Sequence, residues 1–136
     1  MAMNLALEIL IPGETIRLSG LRCVVFQSPV GEVGVMPGHM PMIVLVECGI
    51  LRAESSEGVK RFAAGTGLAR VSADKVSLLV HDLAAEDEID ADEVRESLEA
   101  DQRALQAEEA GGMDMRREEL LKEIRFAEAK LELLDR

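Results

Sequence analysis

The chain has 136 residues, room for one domain with an appendage, and its 15 lysines and arginines face 26 carboxylates for a net charge of −11. That balance excludes direct binding to nucleic acid and to anionic lipid, which both need clustered cations. Trp and Tyr are absent and Phe occurs three times, so base-stacking platforms are excluded too, and no apolar run approaches the roughly 18–20 residues of a membrane span.

Met1-Ala2-Met3-Asn4 offers no basic n-region and no signal core, so the product is expected in the cytosol or on the cytosolic face of a membrane. The average composition conceals a split. Residues 1–85 hold seven cations and eight carboxylates; residues 86–136 hold eight and eighteen. All four prolines lie at or before Pro41, and Val94 is the one valine after residue 85. Gly, Pro and β-branched residues build and punctuate strands, whereas Ala, Glu, Leu, Lys and Arg build helices. Residues 1–85 therefore read as one unit and residues 86–136 as another.

In chain order, Leu5, Leu7, Ile9 and Ile11 alternate in a first strand that Pro12-Gly13 turns. Ile16 and Leu18 give a short second strand closed by Ser19-Gly20. Leu21 to Gln27, Gly31 to Met36, Met42 to Val46 and Gly49 to Glu54 follow. Ser55-Ser56-Glu57-Gly58 marks a hairpin before Val59 to Ala63, and Gly67 to Val71 and Lys75 to Val80 complete the set. Turn signals at this density suggest an all-β sandwich or barrel, and two antiparallel sheets of this size can bury their inner faces.

Asp90 is an N-cap with Glu93 three residues on, and Ile89 with Val94 fits a hydrophobic staple. That first helix runs to about Glu109, where Ala110-Gly111-Gly112 stops it, and Asp114 caps a second helix. Leu120, Ile124, Ala127, Leu131 and Leu134 form a narrow apolar seam, extended backward through Arg117 and Met113. Glu99–Arg103, Glu118–Lys122 and Glu132–Arg136 are expected surface pairs. The fold class is an all-β sandwich N-terminal domain followed by a C-terminal α-helical hairpin. Two thin helices are marginal alone, so the pair is either a fixed finish to the domain or an arm that changes partners.

No catalytic constellation emerges. His81 and Asp82 are adjacent and on a strand would point to opposite faces. Gly65-Thr66-Gly67 lacks the remainder of any phosphate-binding motif. Cys23 and Cys48 sit in apolar runs as buried free thiols, and a metal site would need more ligands than His39 and His81 supply. One segment, Gly31-Glu32-Val33-Gly34-Val35-Met36-Pro37-Gly38-His39-Met40-Pro41, displays a carboxylate and an imidazole on backbone stiffened by proline. It reads either as a corner of the sandwich or as a docking edge, since a rigid loop loses little entropy on binding.

That segment resembles the G-E-[LV]-G-[IV]-x-P-G-H-x-P signature of the epsilon subunit of bacterial F-type ATP synthases, called delta in mitochondria. Ser19-Gly20, Gly49-Ile50-Leu51-Arg52, Phe62 to Leu68 and Lys75-Val76-Ser77-Leu78-Leu79 resemble further family segments in order, and Glu86-Asp87-Glu88-Ile89-Asp90 falls where the family passes from sandwich to hairpin. The resemblance implies a non-catalytic rotor subunit of the central stalk in a proton-translocating enzyme, peripheral on the cytoplasmic face of the bacterial cell membrane. It implies that the sandwich binds the gamma subunit and the c-ring, with contacts at Glu32, Met36, Pro37, Gly38 and His39. It further implies that the hairpin can extend toward the alpha and beta subunits and suppress ATP hydrolysis through Arg116, Arg117, Lys122 and Arg125.

Some bacterial members bind ATP through Ile/Leu-Asp-x-x-Arg-Ala at the hairpin base. Here Ile89 and Asp90 are present, Glu93 stands where the arginine belongs, and Arg95 comes two residues late. A carboxylate there repels a triphosphate, so ATP binding at Ile89, Asp90 and Arg95 is expected to be weak or absent, and neither cofactor nor metal is expected. The competing readings are a free-standing β-head coiled-coil adaptor using the Leu120–Leu134 seam and a small enzyme with an unrecognised site in the sandwich.

Overall fold

The computed structural model describes residues 4–111 and 114–135, with side chains throughout except at 108–111 and 114–115. Nine strands come first: β1 (Leu5–Ile11), β2 (Glu14–Ser28), β3 (Gly31–Val35), β4 (Met42–Val46), β5 (Gly49–Ser55), β6 (Gly58–Ala64), β7 (Gly67–Val71), β8 (Lys75–Val80) and β9 (Leu83–Ala85). A 3-10 turn at Glu86–Glu88 leads into α1 (Ala91–Gly111) and α2 (Asp114–Leu134). The strands hydrogen-bond in the order β4-β7-β8-β1-β2-β5-β6-β9, with β3 also on β2.

Strand β2 joins the two layers of the sandwich. The expected turn at Ser19-Gly20 is instead a bulge within one strand of 15 residues. Leu7 pairs with Leu18 but Leu5 pairs with Leu21, which leaves one extra residue on β2. Gly20, at φ 67°, takes up the irregularity. Before the bulge β2 pairs with β1; beyond it, β2 pairs with β5 on one edge and β3 on the other. A bulge bends its strand, and this one carries the chain from one layer to the other.

The expectation of purely antiparallel sheets also needs correcting, because β1 and β8 run parallel, with Leu7 opposite Val76 and Ile9 opposite Leu78. A parallel pair needs no tight turn, so turn signals cannot announce it. Strand β9 is only three residues long and has no period to read.

The core lies between the layers. Leu5, Leu7 and Ile9 of β1 bury fully, as their alternation predicts, and pack with Val24, Phe26, Val35, Leu51, Val76 and Leu78. Gly67 is required by proximity: a Cβ built there collides with the backbone carbonyl oxygen of Leu79 on the paired strand. At Gly34 the same atom meets nothing within 4 Å.

The helices depart from expectation at their ends. Asp90 Oδ1 accepts from the N–H groups of Asp92 and Glu93 at 3.0 and 3.3 Å, so the expected cap is present. Helix α1 continues to Gly111, and the expected stop at Gly112 and the seam position Met113 lie outside the described residues. Leu120, Ile124 and Ala127 are buried as expected, but Leu134 is exposed and Ala129 and Leu133 are buried instead. The reason is a second neighbour. Beyond Ile124, α2 meets the sandwich as well as α1, and its apolar stripe widens to serve both. Asp92–Arg95 and Arg116–Glu119 pair at i,i+3, whereas the expected Glu99–Arg103 and Glu118–Lys122 pairs do not form among the described residues; Arg136 lies outside them.

Gly67→Ala should destabilise the sandwich by about 2 kcal/mol through overpacking against β8, while Gly34→Ala should stay within about 0.5 kcal/mol. Urea unfolding of both variants measures this; equal midpoints would refute the close approach.

Candidate functional site

The segment 31–41 begins on β3 and ends in the loop before β4. Gly38 N–H donates to Ala73 O at 2.6 Å and His39 N–H to Met36 O at 3.2 Å, so the loop is tied to the β7–β8 turn. His39 Nδ1 lies 2.8 Å from Met40 O. A carbonyl only accepts, so Nδ1 carries the proton of that bond. Met36 and Met40 stand exposed on either side of it.

Glu32 is not part of that loop cluster. It lies near the far end of β3, on the register of Gln27, whose Nε2 donates to Glu32 Oε2 at 3.3 Å. Arg52 Nη2 approaches Glu32 Oε1 at 3.7 Å. Met36 lies four residues beyond Glu32, just past the end of β3, about 13 Å of extended chain. Glu32 and Arg52 line a cavity of about 290 Å³ with Cys48 and with Glu132 of α2, so Glu32 faces the side on which the hairpin rests.

Helix α2 docks there. Ala129 and Leu133 bury against Ile50 of β5 and Ala63 of β6, with Cys48, Ile89 and Phe126 packed around them. Burial pushes the Cys48 thiol up to about 11, opposed by the nearby Arg125 and reinforced by Asp82, Glu47 and Glu128. Burial likewise raises Cys23. Both thiols are free and half-buried rather than fully buried. Arg116, Arg117, Lys122 and Arg125 lie on exposed positions of α2, with Arg116 held by Glu119 at 3.5 Å. Partial desolvation and then Asp101 of α1 hold the Glu123 carboxyl above the usual range. A carboxyl raised by a contact favours that contact while protonated, so this link between the helices strengthens as pH falls and is lost as pH rises through the raised value.

The hairpin base is acidic. A cavity of about 280 Å³ there is lined by Glu88, Ile89, Asp90, Glu93, Val94, Ser97, Ala84 and Lys130. Asp90 is engaged as the helix cap. Arg95 is not among the lining residues; it pairs with Asp92 at 3.4 Å on the surface. Lys130 is the cation present, seated 4.5 Å over the Phe126 ring. His81 and Asp82 lie between β8 and β9, not on a strand, and their side chains approach to 3.5 Å on the surface. Among the described residues no group of three His, Cys, Asp or Glu side chains could hold a metal, and no helix is long and apolar enough to cross a membrane.

Sequence reasoning missed one surface. Leu45 of β4, Leu68 of β7 and Leu79 of β8 stand in cross-strand register on the outer face of the first layer, and Leu10 of β1 continues the row. Ile43, Leu45, Leu68 and Leu79 are 41–69% exposed. The available signal was Met42-Ile43-Val44-Leu45-Val46, where no polar residue alternates with the apolar ones, so both faces of that strand are apolar.

These features define a class: a β-sandwich head with one exposed apolar face and a helical hairpin folded on the other. The family model for the β-sandwich domain of the ATP synthase delta/epsilon chain matches residues 4–86. The ATP synthase epsilon chain of Synechococcus sp. (strain WH7803) is 32% identical over 98 residues, covering 72% of both chains. The chloroplastic epsilon chain of Helianthus annuus is 30% identical over 107 residues, covering 79% of this chain and 80% of its own. A chain in the cryo-EM structure of the Euglena gracilis mitochondrial ATP synthase (OSCP/F1/c-ring) superposes with a TM-score of 0.80 at 20% identity, across 100% of this chain and 84% of that one. The chain belongs to the delta/epsilon family of ATP synthase subunits.

Leu133→Ala should loosen the docked hairpin, a cavity change of about 2–4 kcal/mol, and raise alkylation of Cys48 relative to Cys23 roughly tenfold. Mass spectrometry after brief labelling reads the ratio; an unchanged ratio would count against a thiol sheltered by α2.

Proposed function

We propose that this chain is the non-catalytic coupling subunit of the central stalk in a proton-translocating F-type ATP synthase, peripheral on the cytoplasmic face of a bacterial membrane. Its membership of the delta/epsilon family carries the reading. Residues 1–85 form the head that binds gamma and the c-ring, and residues 86–136 form a regulatory arm. The head transmits torque because a two-layer sandwich with a filled core resists shear, and the tied loop at Met36, Pro37, Gly38 and His39 meets a neighbour without first being ordered. Glu32 contacts basic loops of the c-ring, exchanging its 3.7 Å approach to Arg52 for a charge-assisted bond to the partner.

The arm leaves the sandwich at modest cost. Its buried contact with the sheet rests on Ala129 and Leu133 against Ile50 and Ala63, two branched aliphatic side chains and two methyls. Once extended, Arg116, Arg117, Lys122 and Arg125 meet acidic segments of the alpha and beta subunits and slow hydrolysis. Nucleotide does not hold the arm closed, because Glu88, Asp90 and Glu93 oppose a triphosphate at the hairpin base with only Lys130 to offset them.

Enzyme assembled without this subunit should lose coupled proton pumping, and adding the full chain should restore it. A chain lacking residues 87–136 should restore pumping and raise ATP hydrolysis several-fold, while Glu32→Gln should lower pumping with the sandwich intact. Failure of the full chain to restore pumping would overturn the reading; unchanged hydrolysis with the truncated chain would remove the arm's inhibitory role.

Calorimetry with Mg-ATP should show no micromolar binding to the full chain, and Glu93→Arg should strengthen whatever affinity exists. A micromolar Kd for the wild-type chain would refute the electrostatic argument.

A further inference from the structure

We infer that Arg52 is a cation shared between head and arm: when a neighbour draws Glu32 away, Arg52 turns to Glu132 of α2 and holds the hairpin on the sandwich. The inference takes the neighbour's identity, the c-ring, from the proposed function. The exchange itself lies within this chain.

Glu32, Arg52 and Glu132 line one cavity of about 290 Å³, and Arg52 is the cation among its described lining residues. Its guanidinium approaches Glu32 at 3.7 Å and Glu54 at 3.9 Å. Both distances exceed the roughly 2.7–3.2 Å of an N–H···O bond, so Arg52 is attracted to each carboxylate and committed to neither. Arg61, its cross-strand neighbour on β6, contrasts: it closes on both oxygens of Glu86 at 3.1 and 2.7 Å. Like charges opposite one another repel, so Arg61 in its fixed pair drives Arg52 away from the β6 side.

Glu32 is positioned from below. A Cβ at Gly49 would lie 2.6 Å from Gln27 Cγ, so the glycine lets the Gln27 side chain pass over it. Gln27 Nε2 then holds Glu32 Oε2 at 3.3 Å, while Oε1 is the oxygen nearest Arg52.

A guanidinium has five donors, enough for Glu54 and one further carboxylate. Glu32 and Glu132 compete for that place and repel each other across the cavity. Withdrawal of Glu32 removes both the competitor and the like charge facing Glu132. Glu132 precedes Leu133, whose burial docks the helix, so the new pair acts at the docking contact. By linkage, a docked arm favours engagement of Glu32 by the same factor.

The test measures alkylation of Cys48 in the full chain by a neutral reagent at low salt, read by mass spectrometry. Cys48 packs among the residues that α2 covers, so its labelling tracks release of the arm. Glu32→Gln should slow labelling roughly twofold to fourfold, the scale of a partly exposed ion pair. In a Glu132→Gln background, and in an Arg52→Gln background, Glu32→Gln should cause no slowing. Any direct effect of Glu32 on the thiol is common to the chains with and without Glu132 and cancels between them. Glu32 and Glu132 are exposed, so urea midpoints should stay close to wild type. Equal slowing with and without Glu132 would overturn the exchange. So would no slowing at all, the result if Glu54 alone takes the guanidinium. Both results leave the role in pumping standing, which reconstitution decides separately. In the assembled enzyme the ring should slow Cys48 labelling, and Arg52→Gln should abolish that slowing; equal rates with and without the ring would overturn its part as the neighbour.

Discussion

The structure depends on a single bulged strand. Strand β2 is, among the described residues, the element hydrogen-bonded in both layers, to β1 as far as Leu21 and to β5 and β3 from Leu21 onward. Its alternation breaks twice, once between Leu18 and Leu21 against β1 and again between Leu21 and Cys23 against β5, and a straight strand could not close over its own sheet. Because it bends, Leu5, Leu7 and Ile9 from one layer meet Phe26, Leu51 and Phe62 from the other in one continuous core. The layers are then covalently and hydrogen-bonded into one body.

From that closure follow two outer faces of different character. The β5–β6 side buries Ile50 and Ala63 under α2, and Glu32 and Arg52 line the cavity at its margin. The β4–β7–β8–β1 side keeps its leucines in water beside Arg17, Arg70 and Lys75. The chain's negative charge is concentrated elsewhere: residues 86–136 carry ten of its eleven net negative charges. Long-range repulsion from an acidic surface is therefore directed mostly by the arm, while the apolar face of the head presents the opposite sign.

Strand positions, the Asp90 cap and the first half of the α2 seam were legible because each is a local property: alternation at Leu5, Leu7 and Ile9, an Asp before a helical run, a four-three spacing from Leu120 to Ala127. What stayed hidden depends on long-range neighbours. Ser19-Gly20 looks like a turn because serine and glycine favour both turns and bulges, and only the partner strand decides between them. Leu133 rather than Leu134 is buried because a second surface meets the helix there. The motif residues of 31–41 were found as a run, yet the fold divides them, with Glu32 beside Arg52 and His39 beside the β7–β8 turn. The exposed leucine row could not be seen at all without register, since Leu45, Leu68 and Leu79 are far apart in the chain.

The two outer faces of the head share no residues. Release of α2 uncovers Ile50, Ala63 and Cys48 but touches none of Leu45, Leu68, Arg70 or Leu79. A change on one face therefore reaches the other only if strain passes through the core between them. Protein interiors are packed densely enough to transmit such strain, but a two-layer core whose residues are already fully buried has little room for a second arrangement. Helix α2 is held to the head by the shallow contact at Ala129 and Leu133, whereas Glu123 and Asp101 lie between the two helices and leave the head untouched.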